Sequence, residues 1–206
     1  MLDSAYGTQY GQATDEWTDD QSMRCVPALV QGRLKLPSSA RALDVGCGTG
    51  RDVEYLSGFL RSVTGIDIIG QDAWASIVAA TPGAAFERTD LLSYQPDCRY
   101  DLVLDNGCFH HQHEAHRSPY LDRAAALTLP DGWFVLSTFK AASIDQYVDV
   151  HGRLHKYWTD DELHATLRAA AFDVVDETDI YRPTKGNYYR LSFCRPDGSR
   201  RVTTPR

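Results

Sequence analysis

The sequence predicts an α/β fold built on a doubly wound, mostly parallel sheet of seven strands. Short apolar runs alternate with helical patterns along most of the chain, and one of these runs enters a glycine-rich turn that opens a helix. Two further strand-like runs follow each other near the end, without a helix between them. Alternating β and α elements indicate parallel strands with helices on both faces. The terminal pair predicts a hairpin, and therefore an antiparallel last strand.

Length and composition indicate one domain, residues 1–206, with a full core. A net charge of −7 argues against a general nucleic-acid binder, so no nucleic-acid partner is expected. The five cysteines are scattered and form no C-x-x-C pair, which argues against a disulfide framework or a zinc site. This pattern fits a reducing cytoplasm.

The N-terminus has no basic region, and no apolar run approaches the length of a membrane span. We therefore expect a cytoplasmic protein with no membrane partner, as a monomer or homodimer. Residues 1–36 begin with a polar segment rich in Gly, Gln and Tyr. A helix is then predicted from Glu16 to Leu34, which Pro27 should kink or divide.

The central part of the chain carries the β-α alternation. One further helix is expected to begin at Ser118-Pro119, with proline in its first position. The five strands are predicted at Arg41–Val45, Ser62–Asp67, Ala84–Arg88, Tyr100–Leu104 and Trp133–Thr138, with helices at Arg51–Leu60 and Gln71–Ala80.

The last third of the chain is less regular. Residues 139–158 have no clean period and are rich in Tyr, His and Lys, which predicts a long loop that is either functional or disordered. A capping box, Thr159 to Glu162, starts a helix that runs to about Ala171. Strands are predicted at Val174–Tyr181 and Tyr188–Cys194, before a turn and a basic tail.

The most informative stretch is the glycine turn after the first strand. Gly46, Gly48 and Gly50 follow Val45 at alternate positions, so a ligand can lie against bare backbone at a helix N-terminus. The spacing is G-x-G-x-G, unlike the G-x-G-x-x-G of dinucleotide enzymes. Asp67 ends the next strand, where an acid can accept two ribose hydroxyls at once.

Acidic residues recur at successive strand ends. In a doubly wound sheet the ligand lies beyond the carboxyl ends of the strands. Each acid alone could be a solvated cap, but their recurrence indicates a ligand site; the four are Asp44, Asp67, Asp90 and Asp105.

Two stretches carry a family resemblance. Leu43 to Gly50, followed by Gly65-Ile66-Asp67, resembles the cofactor site of class I S-adenosylmethionine (SAM) methyltransferases, which are Rossmann-like. The stretch from Tyr100 to His111 resembles the Asp-x-Gly-x-Phe-His segment of bacterial thiopurine, thiol and tellurite methyltransferases. The likeness is good from Leu43 to about Lys140 and thinner at both ends.

The resemblance implies a role for each strand end. The first turn would hold the methionine part of the cofactor and Asp67 the ribose. Asp105 would contact the methionine amine, through its side chain or its carbonyl. Ile68 would pack on adenine, with Asp90 and Leu91 bonding its edge. The implied SAM-binding residues are Asp44, Gly46, Cys47, Gly48, Gly50, Asp67, Ile68, Asp90, Leu91 and Asp105.

The acceptor side is less determined. His110 or His111 could be a general base, because imidazole titrates near neutral pH, or both could simply pack. His113 and His116 extend the cluster, but the pattern is not H-E-x-x-H and no metal is predicted. The candidate substrate-pocket residues are Tyr10, Trp17, Tyr147, His151 and Tyr157, with His155 a further candidate from the same segment, although 139–158 could equally be a surface loop and 1–15 either a frayed tail or a lid.

The prediction is a SAM-dependent methyltransferase acting on a thiol, oxygen or nitrogen of a small molecule. The first rival is a macromolecule methyltransferase. Its signature is weak here, because Asp105-Asn-Gly-Cys108 is not the Asn/Asp-Pro-Pro-Tyr of nucleobase amino methylases. The second rival is a SAM-binding protein with other chemistry on the same fold.

Overall fold

The structure is a computed structural model that describes residues 2–11, 17, 20–143 and 145–198. The predicted basic tail lies outside the described residues, as does the start of the predicted helix at Glu16. The elements in chain order are α1 (Leu2–Gly11), α2 (Gln21–Arg24), α3 (Val26–Leu34), β1 (Arg41–Val45), α4 (Arg51–Ser57), β2 (Ser62–Asp67), α5 (Ala73–Ala80), β3 (Ala84–Arg88), β4 (Tyr100–Asn106), a 3-10 turn (Phe109–His111), α6 (Glu114–Leu127), β5 (Thr128–Lys140), β6 (Asp145–Val148), β7 (Leu154–Trp158), α7 (Asp160–Ala169), β8 (Phe172–Arg182) and β9 (Asn187–Pro196).

The sheet confirms the doubly wound α/β class. Strands run in the order β3-β2-β1-β4-β5, all parallel, and β9 lies antiparallel beside β5. β8 pairs with β9 on the outside, again antiparallel. These seven strands are the predicted ones, with the predicted antiparallel strand near the C-terminus.

The predicted number of strands, seven, was too low, because the described sheet has nine strands. The extra two, β6 and β7, form an antiparallel hairpin within residues 139–158, the segment predicted to be a loop. β7 pairs parallel with the last two residues of β5, Phe139 and Lys140, past the point where β4 ends. The segment is thus an ordered extension of the sheet.

An inward-facing lysine explains why the hairpin escaped prediction. Burial alternates along β7, with Leu154, Lys156 and Trp158 inside. Lys156 is 2% exposed and pairs with Glu162 at 2.9 Å, so a charged side chain occupies a core position. β6 is exposed along its whole length and has no apolar face to detect. A pattern search for alternating apolar residues therefore fails on both strands.

Two apolar layers cover the sheet. Alternate residues of β1 point to opposite layers: Leu43 and Val45 pack with α6 and α7, whereas Ala42 packs with α3 and α4. Both faces are therefore dry, as expected for a parallel sheet. The carboxyl ends of the strands are left to form the site.

Helix boundaries follow their caps. Pro27 divides the predicted long helix, because α2 ends at Arg24 and Pro27 lies in the first turn of α3. α6 begins at Glu114, four residues before the predicted start, so Pro119 lies inside it. Thr159 caps α7 by accepting the N–H of Glu162, as predicted. Within the described residues no helix is long and apolar enough to cross a membrane.

Candidate active site

A cavity of about 490 Å³ lies over the carboxyl ends of β1, β2 and β4. Its floor at one end is the glycine turn, and α1 with Trp17 borders it from the N-terminal side. The other end is lined by the 3-10 turn, the β6–β7 hairpin, and residues of β5, β8 and β9. The cavity therefore joins the predicted cofactor turn to the predicted acceptor side.

The glycine turn presents bare backbone to the cavity. Gly46 and Gly48 have φ of 72° and 52°, a region that favours glycine. The N–H groups of Gly46 and Cys47 both bond to the Ile66 carbonyl, at 2.8 and 3.1 Å, which ties the turn to β2. Gly46, Cys47 and Gly48 were predicted to contact the cofactor, and all three line the cavity.

Asp67 organises the same turn from the end of β2. Its Oδ2 accepts the N–H of Gly48 and its Oδ1 that of Ile69, both at 2.9 Å. Burial raises the pKa of Asp67, and these hydrogen bonds oppose the rise. The carboxylate lines the cavity and has further acceptor sites, so it can bind hydroxyl donors of a ligand.

Asp44 is a buried acid at the cofactor end of the cavity. It is 2% exposed, lines the cavity, and its Oδ2 has no hydrogen-bond partner among the described residues. Burial raises its pKa well above the usual range, helped by Asp52, Asp105 and Asp67 nearby. Asp52 also lines the cavity, and burial raises its pKa to about 6. Ionisation of these groups is favoured by a cation between them.

The far side of the glycine turn is more apolar. Ile68, Leu91 and Leu92 line the cavity beside Asp90. The Asp90 carboxylate accepts the N–H groups of Leu92 and Ser93 and the Ser93 hydroxyl, at 2.7 to 3.0 Å. Those hydrogen bonds lower the pKa of Asp90 against the effect of burial. Asp90 therefore shapes the loop that borders this end.

Two predicted cofactor residues lie outside the cavity lining. Asp105 is 0% exposed, and its carboxylate accepts the Tyr120 hydroxyl at 2.6 Å and the N–H of Cys108 at 2.7 Å. Its side chain thus supports the loop after β4, and the next residue, Asn106, faces the cavity instead. Gly50 is also behind the lining, where an added Cβ would lie 2.6 Å from Phe86.

Aromatic side chains of the N-terminal segment cover the turn. Trp17 donates to the Tyr10 hydroxyl at 2.8 Å and makes edge contacts with Tyr6 and Tyr10. All three line the cavity, and two of them, Tyr10 and Trp17, are predicted pocket residues. The Arg153 guanidinium lies 4.9 Å from the Trp17 ring and connects this cover to the hairpin.

His110 and His111 lie together at the acceptor end, with ring centroids 4.3 Å apart. Burial lowers the pKa of His110 strongly and that of His111 to about 3, so both rings are neutral. His111 Nδ1 lies 2.5 Å from the Leu154 carbonyl, which can only accept, so Nδ1 carries the proton. His110 Nδ1 is buried without a partner among the described residues.

Two arginines flank the histidines. Arg153 is held by Asp149, which also contacts His155 at 3.0 Å. Arg182 pairs with Asp20 at 3.0 Å, and both side chains are less than a tenth exposed.

Aromatic rings complete the acceptor end. The Arg182 guanidinium lies over the rings of Tyr189 and Phe139, at 4.3 and 5.1 Å. His110 stacks on Phe139 at 3.7 Å. This end therefore combines flat rings, neutral imidazoles and guanidinium groups.

Three predicted pocket residues do not line the cavity: Tyr147, His151 and Tyr157. Tyr147 is 48% exposed and stacks on the outside of His155 at 4.9 Å, and His151 is exposed in the hairpin turn. Tyr157 lies behind Phe139, against which it stacks at 4.9 Å. The fourth candidate of the same segment, His155, does line the cavity, and so does its neighbour Arg153.

The functional residues that sequence reasoning missed come mostly from the C-terminal half. The missed cavity-lining residues include Met23, Phe139, Arg153, Arg182 and Tyr189. A β-hairpin prediction for 139–158 would have placed Arg153 and His155 on one side, but Lys156 hid that pattern. Arg182 and Tyr189 carry no motif, and only the pairing of β8 with β9 brings them to the site.

The cavity fits S-adenosylmethionine. The unpartnered Asp44 oxygen and the raised carboxyl pKa values suit a ligand with an ammonium and a sulfonium group. Asp67 suits ribose hydroxyls, and the glycine turn admits a chain close to the backbone. No group of three His, Cys, Asp or Glu residues in the described ranges is arranged to hold a metal ion.

Comparisons with known proteins agree with this fit. Residues 20–177 match the family described as a methyltransferase domain. The crystal structure of Burkholderia thailandensis 1,6-didemethyltoxoflavin N1-methyltransferase, with 1,6-didemethyltoxoflavin and S-adenosylhomocysteine bound, is 34% identical. It superposes with a TM-score of 0.90 over 95% of this chain and 87% of that chain.

Two further relatives are more distant. Trans-aconitate 2-methyltransferase of Methylobacterium nodulans is 32% identical over 104 residues, which span 48% of this chain and only 38% of that protein. The N-methyltransferase NodS of Bradyrhizobium japonicum, with bound S-adenosylhomocysteine, is 16% identical with a TM-score of 0.72. The NodS match covers 94% of this chain and 99% of that chain and shows the shared fold alone.

Fold and site together define a class I methyltransferase that uses S-adenosylmethionine. The resemblance to the thiopurine, thiol and tellurite group is not confirmed. The chain belongs to the methyltransferase domain family.

Proposed function

We propose that this protein transfers the methyl group of S-adenosylmethionine to a ring nitrogen of a flat, nitrogen-containing small molecule. The observation that carries the proposal is the continuity of one cavity, which has an acidic cofactor end and a histidine-, arginine- and aromatic-lined acceptor end. The relative that is 34% identical methylates a nitrogen of 1,6-didemethyltoxoflavin.

Bound SAM supplies an electrophilic methyl group on a sulfonium. The protein must hold the acceptor in line with that methyl group and exclude water. Tyr6, Tyr10 and Trp17 are placed to exclude water above the glycine turn, and we propose that residues 1–36 act as the lid. The hairpin within 139–158 would border the acceptor.

In this proposal each predicted cofactor residue contacts or supports a different part of S-adenosylmethionine. Asp44 and Asp52 would face its cationic methionine end, with the backbone of Gly46 and Gly48 alongside. Asp67 would accept the ribose hydroxyls. Ile68 and Leu91 would hold adenine, with Asp90 shaping the loop around it. Asp105 would act indirectly, by fixing the loop that carries Asn106 and Cys108.

We infer that His110 and His111 contact the acceptor as neutral hydrogen-bonding groups. Because Nδ1 of His111 donates to Leu154, its Nε2 carries a lone pair. The unpartnered Nδ1 of His110 is a second polar atom at this end. Both atoms are suited to accept a hydrogen bond from an N–H group of the substrate. They are less suited to act as a general base, since burial lowers both histidine pKa values.

A thiol acceptor is the alternative from the sequence resemblance. A thiol needs to lose its proton, and strongly lowered histidine pKa values make that transfer unfavourable. The flat stack of His110, Phe139 and Tyr189 fits a ring better than an aliphatic thiol. A nitrogen heterocycle is therefore the preferred acceptor class.

A screen of matched acceptors tests the proposal. Azaheterocycles, thiols, phenols and carboxylic acids are incubated with SAM, and release of S-adenosylhomocysteine is followed with methylated product by mass spectrometry. We expect turnover with azaheterocycles and methyl on a ring nitrogen. Turnover confined to thiols would replace the acceptor class. Normal SAM binding without turnover in any class would contradict methyl transfer.

A further inference from the structure

We propose that the acceptor is bound and methylated as the anion of an acidic ring N–H, with Arg153 and Arg182 compensating its charge. The inference rests on the proposed function and adds the charge state of the substrate. It follows from the distribution of charged groups along the cavity.

The charged side chains that line the two ends of the cavity differ in sign, apart from Arg51 next to Asp52 at the cofactor end. Asp44, Asp52 and Asp67 line the cofactor end, where the ligand is cationic. Arg153 and Arg182 line the acceptor end. The acids thus face the sulfonium side, and a guanidinium pair faces the nucleophile.

Both arginines keep hydrogen-bond donors for a ligand. A guanidinium has five N–H donors. Asp149 takes the Nε and one Nη2 contact of Arg153, at 2.7 and 2.6 Å. Asp20 takes two donors of Arg182, and Asn187 takes a third at 3.3 Å. Within the described residues, each arginine therefore has at least two N–H groups left.

The other titratable groups at this end do not compete for the role. His110, His111 and His155 are neutral, and Arg153 or Arg182 contributes to the lowered pKa of each. Burial is the main cause of these lowered pKa values, and the arginine charges add to it.

The phenols and carboxylates nearby are also occupied. Burial raises the pKa of Tyr6 and Tyr189, so both remain protonated. The nearest carboxylates, Asp20 and Asp149, lie behind the arginines as their partners. A ligand anion is the group that would face the remaining guanidinium donors.

The chemistry balances without a protein base. The ring N–H loses its proton to bulk water before binding. The nitrogen lone pair of the anion forms the new N–C bond while the C–S bond breaks, and that electron pair stays on sulfur. The negative nucleophile and the positive sulfonium thereby become two neutral products. A water-poor cavity favours such a step. Both ions have already lost their hydration on binding, so the reaction that neutralises them loses little more.

The test measures which protonation state of a ring binds. The protein is saturated with S-adenosylhomocysteine and titrated calorimetrically with 6-azauracil, uracil and 1,3-dimethyluracil from mildly acidic to mildly alkaline pH. The first two share a shape and differ in N–H acidity, and the third has no N–H to lose. The molecule bound in the relative's structure, 1,6-didemethyltoxoflavin, is titrated in parallel.

We expect affinity to follow the anion fraction of each probe. Below a probe's own N–H pKa, its apparent affinity should fall about tenfold per pH unit, because only the anion fraction binds. The curve for uracil should therefore lie at higher pH than that for 6-azauracil. Equal curves, binding of 1,3-dimethyluracil as tight as 6-azauracil, or no binding of any probe would overturn the proposal.

Arginine variants test the same point independently. Arg153→Gln should weaken binding of the 6-azauracil anion at least tenfold, whereas Arg153→Lys should stay within a few-fold. Arg33→Gln is the control, because Arg33 pairs with Asp176 and does not line the cavity; it should leave probe binding unchanged. Because Arg182→Gln would strand Asp20 in the interior, the double variant Asp20→Asn/Arg182→Gln replaces it. Anion binding that survives in both the Arg153→Gln and the double variant would overturn the proposal.

Binding of S-adenosylhomocysteine is measured first in every variant. If the unmodified protein does not bind S-adenosylhomocysteine, the proposed function itself is contradicted. Normal binding with pH-independent acceptor affinity would count against the anion alone.

Discussion

Tyr10 and Gly48 meet across the mouth of the cofactor turn: a Cβ placed on Gly48 would lie 2.8 Å from the Tyr10 hydroxyl oxygen. The same hydroxyl accepts a hydrogen bond from Trp17, so it connects the N-terminal cover to the glycine turn. The absence of a side chain at Gly48 therefore serves both the turn and the cover.

Gly48→Ala should weaken SAM binding by displacing that cover. The new methyl group would overlap the Tyr10 hydroxyl, and alanine is strained at a φ of 52°. We expect at least a tenfold rise in the dissociation constant for S-adenosylhomocysteine by calorimetry. Adding Tyr10→Phe removes the overlapping oxygen and should restore part of the affinity.

Gly32→Ala is the matched control for that experiment. Nothing lies within 4 Å of an added Cβ at Gly32, which is inside α3. Alanine there should leave ligand affinity unchanged and should stabilise the fold by up to about 1 kcal/mol. Equal affinity in Gly48→Ala and Gly32→Ala would show that Tyr10 does not cover the cofactor.

Asp67→Asn should separate cofactor binding from folding. The amide keeps the size of the carboxylate but can accept only one of the two backbone N–H groups that Asp67 now holds. A hydrogen bond to a charged group contributes about 1.5–3 kcal/mol, so SAM affinity should fall roughly ten- to a hundredfold. The exposed Asp72→Asn serves as control. Unchanged affinity would mean that another acid holds the ribose.

His111→Asn should keep most of the turnover. The asparagine amide can donate to the Leu154 carbonyl as Nδ1 of His111 does. Because burial lowers the pKa of His111 to about 3, its ring should not contribute an inflection near neutral pH to the kcat/KM profile. We expect less than a tenfold loss and an unchanged profile shape. A loss of about a hundredfold or more, together with a missing acidic limb, would restore the general-base role.

Asp105→Asn should change how stability depends on pH. Burial raises the pKa of Asp105 to about 6 in the folded protein, from 3.8 in an exposed carboxyl. The unfolded state therefore ionises first, and the folded state loses stability from this group as pH rises from about 4 to about 6. The linked free energy is about 3 kcal/mol at most.

The variant has no carboxyl to titrate at that position. Its free energy of unfolding, measured by urea denaturation, should gain on that of the unmodified protein between about pH 4 and about pH 6 and stay level above that range. Parallel curves across the range would show that Asp105 is not the buried acid described here.

The sheet could be predicted because its strands are apolar on both faces. Leu43 and Val45 alternate with Ala42 into two dry layers, and that pattern is visible in one dimension. The acids of the cofactor end could be predicted in the same way, since Asp44 and Asp67 lie at the ends of predicted strands. Asp105 was placed at the right edge, but sequence could not show that Tyr120 and three backbone N–H groups would enclose it.

The acceptor end could not be read in this way. Lys156 breaks the apolar alternation of β7. Its buried charge is compensated by Glu162, which lies in α7 and is therefore not visible in the pattern of the strand. Arg182 reaches the site only because β8 pairs with β9 and β9 with β5. Long-range pairings of this kind leave no local signal, so the residues that would select the acceptor were mostly missed.

Binding of S-adenosylhomocysteine tests the central claim most directly. A calorimetric titration of the full chain should show one saturable site, accompanied by a rise in melting temperature that grows with ligand concentration. Asp67→Asn should weaken that binding and Asp72→Asn should not. The absence of saturable binding by the folded, unmodified protein would contradict the assignment of the cavity to S-adenosylmethionine.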